Sequence, residues 1–160
     1  MKGTLSHEYG HAVADAIVPD ENGFIEEASV TAHEGTKLYD HIMCLESAVT
    51  GAGLKKKNSV FTRFDPFVDE NMYKSERNRE DKYAGKDSSE YYAETFKAYT
   101  HHPEAFRNKI IEMETSLKSL KPDTKEYVYV QTSLFALKES YNYFKREVFD
   151  GYEFKSVSEQ

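Results

Sequence analysis

Apolar residues recur along this chain at helical spacing. From Thr36 to about Val49, residues Leu38, Ile42, Leu45 and Val49 fall three or four apart, and Gly51 and Gly53 follow. Residues so spaced share one helix face, so this stretch predicts an amphipathic helix with a glycine stop. Pro103 stands where proline can open a helix, and Phe106, Ile110, Met113, Leu117 and Leu120 then form one stripe that ends before Pro122. A second stripe starts after Asp123 or Thr124: Val130, Leu134, Leu137, Tyr141, Phe144 and Val148, with Gly151 just past its end. Two long stripes on a short connection predict an antiparallel helix pair. Thr4 to Val18 also reads as a helix, capped by Thr4 and closed by Pro19, and Ser88 to His101 as another.

Two stretches lack this pattern. Residues 20–34 fit neither the helical nor the strand period, although they carry Phe24, Ile25, Ala28 and Val30. Residues 54–87 read as a long polar connection with scattered aromatics, Phe61, Phe64, Phe67, Tyr73 and Tyr83. A connection of that length in a compact domain usually carries function or moves. Lys155 to Gln160 read as a frayed tail. The pattern predicts a single, mainly α domain over residues 1–160.

Composition narrows the class of function. At 160 residues, 39% hydrophobic and 31% charged, the chain suits one folded domain. Its net charge of −7 argues against nucleic acid as the main partner. The basic run Lys55-Lys56-Lys57 is short and reads as solvated loop. No apolar run approaches membrane-spanning length. Cys44 is the single cysteine, which excludes an internal disulfide and a cysteine-based zinc site. It falls in an apolar-periodic stretch, so a small core residue is expected there. The segment after Met1 shows no basic region followed by an apolar run.

The candidate chemistry begins in "TLSHEYGHAVAD", residues 4–15. His7 and His11 are four apart, so on a helix both rings lie on one face, one turn apart. Two imidazoles so placed can converge on one tetrahedral zinc. Glu8 points beside such a metal, where a general base for a water must stand. Gly10 keeps the helix slim on a side where another element can pack closely. Asp15, four after His11, can serve packing or support the site, and both roles stay open. The bland alternative is two surface histidines and a glutamate paired with a lysine.

Zinc needs a third protein ligand and an open position for water. His33 and His41 are eight apart with Gly35 between them, and His41 reads as the edge of an amphipathic helix. His101 and His102 abut Pro103 at a helix junction, where His102 reads as an N-cap-like residue. The stronger candidate is "SSEYYAETF", residues 88–96, in which Glu90 and Glu94 share one helix face. One carboxylate can bind zinc while the other accepts a hydrogen bond from a ligating histidine. The alternative is that Glu90 caps its own helix, since Asp87 and Glu90 have capping-box spacing and acidic residues favour helix N-termini.

"HEYGHAVAD" followed by "YAGKDSSEYYAETF" resembles the catalytic domain of the anthrax toxin lethal factor-like zinc metallopeptidases, a group that includes the clostridial Pro-Pro endopeptidases. That group has a His-Glu-any-Gly-His helix, then a tyrosine, then, seven residues later, the glutamate of an "EFFAEAF"-like helix. The resemblance implies that His7, His11 and Glu90 are the zinc ligands and Glu8 the general base. It implies that Tyr83 stabilises the oxyanion and assists the leaving amine, and that Glu94 supports the site from behind the ligands. It further implies a zincin-like fold with an active-site helix and a C-terminal helical bundle, a Zn2+ cofactor, a protein or peptide substrate, and a toxin-type or secreted endopeptidase.

The resemblance covers two blocks, about residues 3–18 and 80–100. The stretch between them is longer than in the related domains. The sheet elements and substrate-pairing edge strand that precede the active-site helix in those domains have no counterpart here, so an N-terminally incomplete domain is expected, its cleft completed by an upstream domain or another chain. Three rivals remain on the sequence: a zinc-binding remnant without turnover, an intracellular regulatory zinc peptidase of a mobile element, and a helical interaction domain that binds no metal.

Overall fold

The structure, a computed structural model, describes residue 5 and residues 8–13, 37–53 and 88–155. It is mainly helical, and no strand occurs among the described residues. Residues 8–13 form part of a first helix, α1. The others are α2 (Lys37–Gly51), α3 (Ser88–His101), α4 (Pro103–Ser119) and α5 (Lys125–Tyr143), which runs into a π-helical turn at Phe144–Val148. The expectations for Thr4, His7, Asp15 and Pro19, for residues 20–34 with His33, for residues 54–87 with Lys55-Lys56-Lys57 and Tyr83, and for the tail beyond Lys155 lie outside the described residues.

Local chemistry sets the helix ends. Pro103 is the first residue of α4, where its missing N–H and fixed φ cost nothing. The Phe106 N–H donates to the His102 carbonyl at 2.9 Å, so His102 precedes the helix, without a side-chain cap. Thr124 caps α5: its hydroxyl oxygen accepts from the Tyr127 N–H at 3.1 Å. Asp123 just before it takes φ +67°, a left-handed conformation that aspartate tolerates. The helix pair is antiparallel, because Phe106 near the start of α4 meets Tyr141 near the end of α5 at 5.3 Å, and Glu114 pairs with Lys138 midway.

The π-helical turn changes how the second stripe is used. The Phe149 N–H donates to the carbonyl of Phe144, five residues back. The adjacent residues Tyr143 and Phe144 are both buried. Beyond the turn, Gly151 at φ +84° reverses the chain. Phe149 stacks on Tyr99 at 5.4 Å, and the Tyr99 hydroxyl donates to the Tyr152 carbonyl at 2.6 Å. Arg107 donates to the Phe154 carbonyl at 3.2 Å, which straps this segment over α3 and α4.

Helix α3 is the centre of the molecule. Residues 90–99 are all buried, polar and apolar alike. Such a helix is enclosed on every side. Tyr91, Tyr92, Phe96 and Tyr99 fill the space towards α5, and the Tyr91 hydroxyl lies 3.1 Å from that of Ser140. Helix α2 brings Leu38, Ile42, Leu45 and Val49 to the same core, as its periodicity predicts.

Two expectations for α2 are corrected. Cys44 is exposed, not a core residue. At about 100° per residue it lies some 200° round from Ile42, on the face opposite the stripe. His41 is buried inside the core rather than at its edge. It falls three after Leu38 and four before Leu45, so it continues the apolar stripe.

Candidate metal centre

The site is built where α1 crosses α3. Gly10 faces Ala93 so closely that a Cβ at position 10 would lie 2.7 Å from the Ala93 Cα and 3.1 Å from its carbonyl oxygen. Only a hydrogen fits there. Val13, one turn further on, packs against the core cluster, so Gly10 and Val13 are the inner face of α1. Leu5, Glu8 and Tyr9 are exposed.

This crossing brings two of the expected residues together. His11 follows Gly10, and Glu90 lies three residues before Ala93 on α3. The His11 Nε2 and Glu90 Oε2 atoms are 3.4 Å apart. That is longer than a good N–H···O hydrogen bond, which spans about 2.7–3.2 Å. Two ligands at about 2.0–2.2 Å from one tetrahedral zinc sit about 3.4 Å from each other. The donors also suit the metal, since zinc takes imidazole nitrogen and carboxylate oxygen. These two donors meet the spacing and chemistry that a zinc ion requires of one pair of its ligands.

Glu94 lies one turn after Glu90 and is buried. Its Oε2 is 3.5 Å from the Lys97 Nζ, and Lys97 is 1% exposed. Glu8 is exposed on α1, beside His11 in sequence. His7 and Tyr83 lie outside the described residues. Among the described residues no group of three potential ligands is assembled; His11 and Glu90 are two members of the expected set.

The other described histidines stand in settings of their own. His101 is exposed, with its Nδ1 2.8 Å from the Thr100 hydroxyl. His102 precedes α4. His41 stacks on Tyr143 with ring centroids 4.3 Å apart, nearly parallel, and its Nδ1 has no hydrogen-bond partner. Burial pushes its pKa down to about 3, so it is neutral at pH 7.

No known family, curated protein or solved structure matches the chain. The functional reading therefore stands on the two sequence blocks and on the crossing of α1 and α3.

Sequence reasoning passed over Lys97. A signal was available: a lysine three residues after Glu94, inside a run otherwise rich in tyrosine, phenylalanine and alanine, already suggests a paired, enclosed cation. It also passed over the His41–Tyr143 stack, which joins residues 102 apart in the chain and has no local signature.

Proposed function

We propose that this chain is a zinc-dependent endopeptidase with a zincin-like, lethal factor-like catalytic domain. The observation that carries the proposal is the 3.4 Å approach of His11 to Glu90, set by the contact of Gly10 with Ala93. An ordinary surface pair would need neither a glycine at the crossing nor a buried carboxylate.

His11 and Glu90 would hold the ion together with His7, four residues before His11 in the sequence, the spacing at which two helical residues share a face. When bound, zinc supplies a Lewis acid for the scissile carbonyl and makes a water acidic enough to react at neutral pH. Glu8 would take a proton from the attacking water and return it to the leaving amine. Tyr83 would donate to the oxygen on which negative charge develops. Glu94 would accept an N–H from one of the histidines and so favour one tautomer. The substrate is an extended peptide or protein segment.

The test has two parts. Zinc per chain is measured in wild type and Glu90→Ala purified without chelator. About one zinc in the wild type and clearly less in the variant is expected. Peptidase activity is then measured on a pool of extended peptides for wild type and Glu8→Gln. The variant should keep its zinc and lose activity by about two to four orders of magnitude. Zinc uptake without any wild-type turnover would leave a zinc-binding domain and refute the peptidase. No zinc in the wild type, even when it is supplied, would refute the metal centre.

A further inference from the structure

We infer that helix α2 is an acid-sensitive flap: when His41 takes up a proton, α2 leaves α5 while α3, α4 and α5 stay packed together. The flap does not depend on a bound metal.

The two parts of the fold are joined by different means. Helices α3, α4 and α5 are tied by ring contacts: Tyr92 and Phe96 with Phe144, Tyr99 with Tyr141 and Phe144, and Phe106 with Tyr141. Helix α2 joins this set along α5. His41 stacks on Tyr143, and Cys44, three residues on, feels the charge of Glu139, four residues back, so the two helices run antiparallel. Leu38, Ile42, Leu45 and Val49 bring the apolar side of α2 to the core.

His41 is the weak point of that docking. It is 5% exposed, within the stripe of Leu38 and Leu45, and its Nδ1 has no hydrogen-bond partner. A neutral imidazole tolerates this setting. An imidazolium adds a donor and a full charge, and both are costly to bury unpaired. The titratable groups nearby, among the described residues, supply no counter-charge. Burial keeps the phenols of Tyr143 and Tyr92 protonated. Glu147 acts on Tyr143 and Glu139 on Cys44, but His41 is perturbed by burial alone. Lys37 and Asp40 on α2 are exposed. The His41 ring lies against Tyr143 on the core side of α2, so it reaches water when its helix leaves.

Linkage gives the sign and the size. His41 has a pKa of about 3 in the docked helix and about 6.5 when exposed, so the released state binds more protons between those values. Docking has its full strength above pH 6.5 and weakens as pH falls towards 3. Between pH 7.5 and pH 5 the released state gains about 30-fold relative to the docked one.

The experiment is hydrogen exchange, read by mass spectrometry of peptides, on the full chain at pH 7.5 and pH 5, corrected for the intrinsic pH dependence of exchange. Wild type is compared with His41→Phe and with His41→Leu, which continues the apolar stripe; either variant suffices if the other does not fold. Opening of one element shows as lower protection there than in its neighbours. At pH 5 the α2 amides should be less protected than those of α3 by about tenfold or more. From pH 7.5 to pH 5 the protection of α2 should fall about 30-fold further in wild type than in the variants.

Equal protection of α2 and α3 at pH 5 would overturn the inference, because α2 would then leave only with the whole fold. A fall in α2 protection that is as large in a folded variant as in wild type would overturn it too, since His41 would not be the trigger. So would α2 protection in wild type that is the same at both pH values.

Discussion

Gly10→Ala is the sharpest test of the crossing on which the site depends. The added Cβ would stand 2.7 Å from the Ala93 Cα. Carbon atoms prefer about 3.5–4.0 Å, so α1 and α3 must part or slide by roughly 1 Å. The obstructing atoms are backbone, and no side-chain rotation can relieve them. Two effects on folding oppose each other. Alanine is a better helix residue than glycine by about 1 kcal/mol, while overpacking costs about 1–3 kcal/mol. The metal-free protein should therefore lose only about 0–2 kcal/mol. Zinc should suffer more. Ligand distances are held to about 0.2 Å, so a shift of roughly 1 Å between His11 and Glu90 takes one of them out of reach. A loss of about 100-fold or more in zinc affinity is expected, equivalent to about 2.7 kcal/mol. Chelator competition reads the affinity, and a thermal melt of the metal-free protein reads the fold. A control sharpens the result: Ala93→Gly removes the Cβ that lies 3.2 Å from the new methyl but not the Cα at 2.7 Å, so the double variant should stay defective. Unchanged zinc affinity in Gly10→Ala, or rescue by Ala93→Gly, would refute the claim that this backbone contact sets the site.

Two further outcomes are expected. His41 has a pKa of about 3 in the fold and about 6.5 when unfolded, so the unfolded chain binds more protons between those values; its contribution is complete above pH 6.5 and is lost as pH falls towards 3. The loss should be about 2 kcal/mol at pH 5, and urea melts at pH 7.5 and 5 should show His41→Phe, which keeps a ring against Tyr143, to be less acid-sensitive by that amount; an identical pH slope in the two proteins would contradict it. Tyr83→Phe should lower kcat far more than it raises KM for a cleavable peptide, and an unchanged kcat would remove Tyr83 from the mechanism.

What was legible in the sequence follows from which forces are local. Helix α3 is bounded by Ser88 and by His101 before Pro103, as expected, because proline and the capping positions act within a few residues. Thr124 before α5 is a local signal of the same kind. The burial of His41 was less visible, because it depends on Tyr143, at the far end of the chain. Cys44 misled because it is small and apolar in a periodic stretch, although its own angle around the helix turns it outward. The π-helical turn at Phe144–Val148 escaped the pattern because one inserted residue shifts the stripe without changing which residues are apolar.

The candidate site divides along the same line. That His11 and Glu90 could be partners was a matter of motif and resemblance; that they lie 3.4 Å apart is a matter of tertiary geometry. Gly10 links the two levels. In the sequence it was only a residue that would let another element approach, and in the fold the element is α3 and the point of approach is Ala93. A glycine in a helix interior costs about 1 kcal/mol relative to alanine. That cost makes sense where the missing methyl brings a specific pair of side chains together. A departure from local preference is what a functional site would require at such a contact. If Gly10→Ala were to leave zinc affinity untouched, the glycine would serve packing alone.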